Sequence, residues 1–271
     1  MASSSTALVL IDIQLGFDHP THWGERSNPE FETNVIRLLK AFRAANPKPH
    51  IIHVQHLSKN PSSPLYLSKP EIKHQPYASP EGSEPIVTKH ENSAFVNTNL
   101  EAMLREKGIT KLYICGLTTD QCVSTTTRMA ANMHVCDTVD EQGNVVNGHI
   151  ILVGDATAAH ELPDFSADVV QAVHIATLGK EFCTVVSTDG AISQVSGYRY
   201  QGGLGYYESP RDAATNFFIG SLPKGTHVFE YRLRAAQSGD FSGGLSQIQC
   251  LYAPEFAAHS AGTRVQIAPQ P

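Results

Sequence analysis

The chain has 271 residues, 41% of them hydrophobic and 17% charged, with a formal net charge of −6. That length can bury a proper core. An acidic balance without long charge runs argues against nucleic acid or an anionic membrane as the main partner. No stretch approaches the roughly 18 apolar residues of a membrane span. The start, MASSSTALVL, lacks a basic region and reads as the approach to a first strand rather than a signal peptide. Five cysteines with no C-x-x-C pair fit a reduced, cytoplasmic protein.

The first two-thirds alternate strand and helix. Residues 7–12 (ALVLID), 51–55 (IIHVQ), 111–115 (KLYIC), 150–154 (IILVG) and 184–187 (TVVS) are short apolar runs, and a shorter one leads into Lys89. Runs of this kind suit parallel strands covered on both faces. Between them lie amphipathic stretches. Asn28 is positioned to cap a helix with Pro29 at its first position, and Phe31, Val35, Leu38, Leu39 and Phe42 form its apolar face. Val96, Leu100, Met103 and Leu104 make a second stripe, stopped by Gly108. Ser166 is placed to cap a third, with Val169, Val170, Val173 and Leu178 inward. This rhythm predicts an α/β fold, a doubly wound and mostly parallel sheet with helices on both faces. In such sheets ligands bind beyond the carboxyl ends of the strands.

Two segments break the rhythm. Residues 134–149 read as a polar hairpin turning near Gln142, Gly143 and Asn144. After about Val195 the chain turns Gly- and Tyr-rich, and THVFEYRLRAA, SQIQCLYA and TRVQIA are strand-like. The expected division is therefore an α/β domain at 6–195 and a small all-β segment at 196–271.

Three ionisable residues stand at strand ends. Asp12 closes the first apolar run, Lys89 follows a short one, and Cys122 opens a predicted helix just past the strand KLYIC. A helix N-terminus carries partial positive charge and free N–H groups, which favour a thiolate. An acid, a base and a nucleophile at neighbouring strand ends point to hydrolysis. The plainer alternatives are a buried structural cysteine, a loop-capping Asp and a solvated surface Lys.

The motifs LVLIDIQLGF, KHENSAF and ICGLTTDQCVSTTTRMAAN, with a weaker fourth, DATAAH, occur in this order. Together, over residues 6–195, they resemble the cysteine hydrolases of the isochorismatase-like superfamily. The resemblance implies that Asp12 is the general base, that Lys89 assists the thiol and orders Asp12, and that Cys122 is the nucleophile. It also implies an oxyanion hole from the backbone N–H groups of Thr118 and Cys122, with a cis Leu117–Thr118 peptide. A homo-oligomer is expected on the same basis. Residues 196–271 resemble the C-terminal end of alpha-2-macroglobulin-type proteins, without that family's thioester motif, and no function is carried over from them.

The histidines of HIIHVQH invite a metal reading. Alternation along a strand sets His50 and His56 on one face and His53 on the other, so the run alone makes no three-ligand cluster. The Asp-x-His pair of the nicotinamidase branch is absent. No metal and no cofactor are expected. Candidate substrate contacts are Phe17, Trp23, His56, Phe95 and Thr119, with Tyr77, His19 and Asn92 as further candidates. The expected activity is metal-independent hydrolysis of a small amide or carbamoyl-type C–N bond through a thioester. The alternatives are a metal-dependent nicotinamidase-like hydrolase and a non-enzymatic binding protein that uses the β segment as its interaction module.

Overall fold

The computed structural model describes residues 5–19 and 21–195, then 199–201, 204–211, 214–220, 222, 238–243, 246–250, 253–262 and 264–268. The expected apolar runs assemble into one sheet. Its strands are β1 (Thr6–Ile11), β2 (His50–His56), β3 (Ile86–Lys89), β4 (Lys111–Leu117), β7 (His149–Ala158) and β8 (Thr184–Val186). The order is β3-β2-β1-β4-β7-β8, and every neighbouring pair is parallel.

The period of two along β1 explains why the sheet needs cover on both sides. Ala7, Val9 and Ile11 pack into one apolar cluster with Leu100, Leu104, Ala130 and Leu178 of helices α2 (Leu100–Glu106), α3 (Ser124–Asn132) and α4 (Ala167–Glu181). Leu8 and Leu10 pack into the other, with Phe31, Val35, Leu38, Leu39 and Phe42 of α1 (Phe31–Ala44) and Ala191 of α5 (Thr188–Val195). The doubly wound architecture follows.

Strand order reverses at β1. The chain adds β2 and β3 on one side of it, then β4, β7 and β8 on the other. The carboxyl ends of β1 and β4 therefore flank a topological switch point, where such sheets open a crevice. One glycine lets these strands meet. Gly116 has φ +116, and a Cβ there would lie 2.1 Å from the Ile11 carbonyl oxygen. A side chain would drive β4 off β1 beside Asp12.

Three local expectations are corrected. Asn28 does not cap α1. It sits at φ +55, and its amide donates instead to the Asp155 and Thr157 carbonyls at 2.9 and 2.8 Å, tying the loop to β7. Helix α2 begins at Leu100, so Val96 lies before it. Ser166 does cap α4, its hydroxyl accepting the Val169 N–H, but Val169 and Val173 are 47% and 57% exposed. The reason is phase. At 100° per residue the inward stripe runs through Ala167, Val170 and Leu178, and positions 169 and 173 fall beside it.

The hairpin appears as expected. β5 (Thr138–Val139) pairs antiparallel with β6 (Val145–Val146). Asp140 accepts the Gln142 and Asn144 N–H groups across the turn, and Gly143 takes φ +85.

The chain divides into two compact units, one of residues 1–200 and 204–221, the other of 201–203 and 222–271. In the first unit β10 (Leu204–Arg211) and β11 (Ala214–Ile219) form an antiparallel hairpin. β9 (Arg199–Gln201) completes the three-stranded sheet β11-β10-β9. Tyr206 on β10 is 1% exposed and meets Phe217 edge-on at 5.4 Å. In the second unit β12 (Gly239–Ser242) pairs with β15 (Arg264–Ile267), and β13 (Gln247–Cys250) with β14 (Ala253–His259), both antiparallel. SQIQCLYA and TRVQIA thus contain strands, whereas THVFEYRLRAA lies outside the described residues. No helix among the described residues is long and apolar enough to cross a membrane.

Candidate active site

β1 ends at Ile11, and the next residue leaves the sheet abruptly. Asp12 has φ +51, a left-handed conformation that few side chains other than Asn and Asp adopt readily. Its N–H still donates to the Val54 carbonyl at 3.1 Å, and its own carbonyl accepts the Gln14 N–H at 2.9 Å. The Asp12 carboxylate is wholly buried at the switch point.

Lys89 is the last residue of β3, on the inward side of that edge strand. Its side chain, also fully buried, carries the ammonium to the centre. Nζ lies 2.7 Å from Asp12 Oδ2 and 3.2 Å from Cys122 Sγ. It is also 3.0 Å from His56 Nδ1 and 3.1 Å from the Glu91 carbonyl. An ammonium has three N–H donors and no acceptor, so these four neighbours share its three protons. Burial alone would lower the Lys89 pKa, but Asp12 and Cys122 outweigh it and raise the pKa above the usual value. Because Lys89 donates, His56 Nδ1 accepts, which leaves any proton of that neutral ring on Nε2. Burial first, then the Lys89 charge, lowers the His56 pKa and keeps the ring neutral.

Cys122 differs in detail from its expected setting. Residues Thr119–Val123 form a π-helical turn and α3 starts only at Ser124. The Thr118 carbonyl accepts both the Gln121 and Val123 N–H groups at 3.1 Å. Turns of this class recur at functional sites. The Leu117–Thr118 peptide is cis, as the resemblance implied. Cys122 as a residue is 7% exposed. Burial pushes its pKa up strongly, the Asp12 carboxylate pushes the same way, and Lys89 opposes both. Burial removes the water that would solvate an anion, so it works against the thiolate that the helix terminus favours. The Cys122 thiol also interacts with the Asp12 carboxylate, so acid and nucleophile are neighbours.

The other sequence candidates separate. Phe95 is buried in the same apolar cluster as Cys122. Phe17 stacks on Trp23 at 5.0 Å, and His160 of the DATAAH motif joins both at 6.3 and 5.8 Å. Trp23 Nε1 donates to the Gly16 carbonyl. Burial, then the Arg26 charge, lowers the His160 pKa. Thr119 runs against its expected role. It has no exposed surface, and its hydroxyl is held by Gln171 of α4. Tyr77 packs against the α1 side of the sheet. His53 lies on the opposite face from His56, as strand parity requires. Its Nε2 meets Glu84 at 2.9 Å, and its ring contacts His74 edge-on.

One residue escaped the sequence reading. Gln14 is wholly buried. Its side chain accepts the His56 N–H at 2.8 Å and donates to the His56 and Ile72 carbonyls at 3.0 and 2.8 Å. It clamps the end of β2 and so sets where the His56 ring stands. Its position two residues after Asp12, in LVLIDIQ, was the available signal. The structure thus brings Asp12, Lys89, Cys122 and His56 to one buried point at the strand ends.

The isochorismatase domain model matches residues 6–189, and the bacterial alpha-2-macroglobulin MG10 domain model matches residues 190–255. The chain is 36% identical over 192 residues to the isochorismatase family protein YrdC of Bacillus subtilis (strain 168), spanning 69% of this chain and 94% of the relative. It is 28% identical over 163 residues to a streptothricin hydrolase of Streptomyces noursei, covering 58% and 56% of the two chains. The solved structure of an isochorismatase-family protein from Chromobacterium violaceum superposes with TM-score 0.62 at 32% identity, over 72% of this chain and 95% of that one. A cysteine hydrolase from Pseudomonas syringae pv. phaseolicola does so with TM-score 0.60 at 25% identity, over 70% and 92%. By the domain match, the sequence relatives and the shared sheet, the chain belongs to the isochorismatase family of hydrolases, which act on small molecules.

Proposed function

We propose that the chain is a metal-independent cysteine hydrolase that cleaves a small amide or carbamoyl-type C–N bond. The observation that carries this reading is the buried contact set of Asp12, Lys89 and Cys122, with Nζ 2.7 Å from the carboxylate and 3.2 Å from the sulfur. A carboxylate, an ammonium and a thiol so close can exchange a proton directly and act together.

Asp12 takes the thiol proton as Sγ attacks the carbonyl carbon, and Lys89 steadies the negative charge during the transfer. The oxyanion is held by the Thr118 and Cys122 N–H groups. Collapse of the tetrahedral intermediate breaks the C–N bond, and Asp12 returns its proton to the departing nitrogen. Water, deprotonated by Asp12, then attacks the thioester, and the proton passes back to Cys122 as the acid leaves. Burial of the sulfur suits this cycle, because it disfavours a free thiolate and couples loss of the thiol proton to attack on the substrate carbonyl. Phe17, Trp23 and Phe95 supply apolar contact, and His56 presents a neutral ring to the substrate. The similarity to proteins named cysteine hydrolase and streptothricin hydrolase accords with this chemistry.

Turnover of a panel of small amides and carbamoyl compounds, with mass spectrometry of the quenched protein, tests the reading. A substrate-derived acyl adduct on Cys122 is expected, with unchanged turnover after exhaustive chelation. Turnover by Cys122→Ala within tenfold of wild type, or activity lost on chelation and restored by metal, would overturn it.

A further inference from the structure

The surroundings of the Lys89 ammonium have a second meaning. Its neighbours are a carboxylate oxygen, an imidazole nitrogen and a sulfur, at 2.7, 3.0 and 3.2 Å, together with the Glu91 carbonyl oxygen at 3.1 Å. Asp12, His56 and Cys122 can each present one ligand atom such that all three lie within 4.8 Å of one another. One carboxylate, one imidazole and one thiolate form a donor set for zinc with three protein ligands and one open position. The histidine run could not reveal this set, because two of its members come from other strand ends.

We propose that Asp12, His56 and Cys122 constitute a divalent-metal site whose cation position is filled by the Lys89 ammonium, and that removing this ammonium converts the cluster into a zinc or cobalt(II) site. Charge supports the exchange. The native set holds one ammonium, one carboxylate, one neutral imidazole and one thiol, for a net charge of zero. With Lys89 truncated, a divalent ion bound by the carboxylate, the imidazole and a thiolate also sums to zero, the thiol proton leaving to solvent. Distance supports it too. An ammonium stands off its acceptors by the length of its N–H bonds, whereas zinc binds oxygen, nitrogen and sulfur at about 2.0–2.3 Å. The three groups need to close by only about 1 Å or less. The vacated lysine side chain leaves room for the ion, with the Glu91 carbonyl oxygen or a water in the fourth position. Softness decides the metal: magnesium and calcium prefer all-oxygen sets, whereas a thiolate and an imidazole favour zinc and cobalt.

The proposal rests on the geometry of the cluster and is independent of which bond the protein cleaves. Cobalt(II) titration of wild type, Lys89→Ala and Lys89→Ala/Cys122→Ser, all as full-length chains, tests it. Lys89→Ala is expected to bind about one cobalt per chain, with thiolate charge-transfer absorption in the near ultraviolet and visible bands of tetrahedral cobalt. Its melting temperature should rise with zinc. Wild type should show neither effect at the same metal concentration, and the double variant should lack the charge-transfer band. Lys89→Ala leaves a buried carboxylate without its counter-ion. If it does not fold alone, Lys89→Ala and Lys89→Ser are refolded with cobalt present, and recovery of coloured, folded protein is the expected result. No cobalt uptake by either variant, folded or refolded, overturns the proposal. So does wild-type protein with the same charge-transfer band, or a band that survives loss of Cys122.

Discussion

Two ion pairs in this chain have similar geometry and opposite surroundings. Lys89 and Asp12 meet at 2.7 Å with both side chains fully buried at the carboxyl ends of the parallel strands. Arg264 and Asp240 also meet at 2.8 Å, across β12 and β15 in the second unit, but at 76% and 41% exposure. Water and salt screen the second pair, and its contribution is small. The first pair has no water to fall back on, so each charge depends on the other and both act on the thiol beside them. The contrast teaches that the chemistry is concentrated where strand ends bury polar groups together. A lone surface pair in a short antiparallel ladder has no such leverage.

The sharpest break in the comparison is at the nucleophile. Cys122→Ala is expected to lower kcat by several orders of magnitude with the fold retained, read by turnover and circular dichroism together. Turnover near wild type would separate the buried cluster from the chemistry.

Next comes the buried pair itself. Lys89→Met leaves the Asp12 carboxylate without a partner and should cost about 3–5 kcal/mol of stability. Adding Asp12→Asn should recover much of that loss, because the stranded charge is gone. Denaturant melts of both variants decide this, and simple additivity would deny the coupling. The same truncation in the second unit, Arg264→Ala, is expected to shift stability by no more than about 0.5 kcal/mol.

A smaller effect concerns acid. Burial would raise the Glu84 pKa, but Arg43, the Glu81 N–H and His53 outweigh it and lower the pKa to about 2. That stabilisation is fully present above pH 4.5 and is lost as pH falls through 2. His74, lowered to about 4 by burial and then by His53, acts in the same direction. Its neutral form suits the fold, so stability present above pH 6.5 declines as pH falls toward 4. His74→Leu should flatten the melting temperature between pH 6.5 and 4, and Glu84→Gln should flatten it below 4.5. An unchanged acid profile in both would place the sensitivity elsewhere.

The division of the chain gives a test by truncation. A protein ending at Ser196 retains α5, which packs on α1 and holds the Tyr113 hydroxyl through Gln194 at 2.7 Å. It loses the hairpin that buries Tyr206. We expect it to fold and keep the reactivity of Cys122, with a lower melting temperature than a protein ending at Ser221. An insoluble or inactive 1–196 protein beside an active full-length chain would mean that the remainder completes the enzyme.

Sequence alone determined the strands, the fold class and the three residues at the strand ends. These follow from local apolar periodicity, and a parallel sheet brings its carboxyl ends together whatever the connecting loops do. Asp12, Lys89 and Cys122 were legible because each follows directly on such a run or on the strand-to-helix turn. What tertiary structure decided are the properties that depend on neighbours distant in sequence. His56 meets Lys89 across 33 positions and Gln14 across 42. Val169 and Val173 face outward because the phase of α4 is set by the sheet it packs on. Burial raises the Cys122 pKa, against the effect expected from its place near a helix start. Solvation decides proton affinity, and burial is a property of the assembled fold rather than of the residues adjacent in the chain.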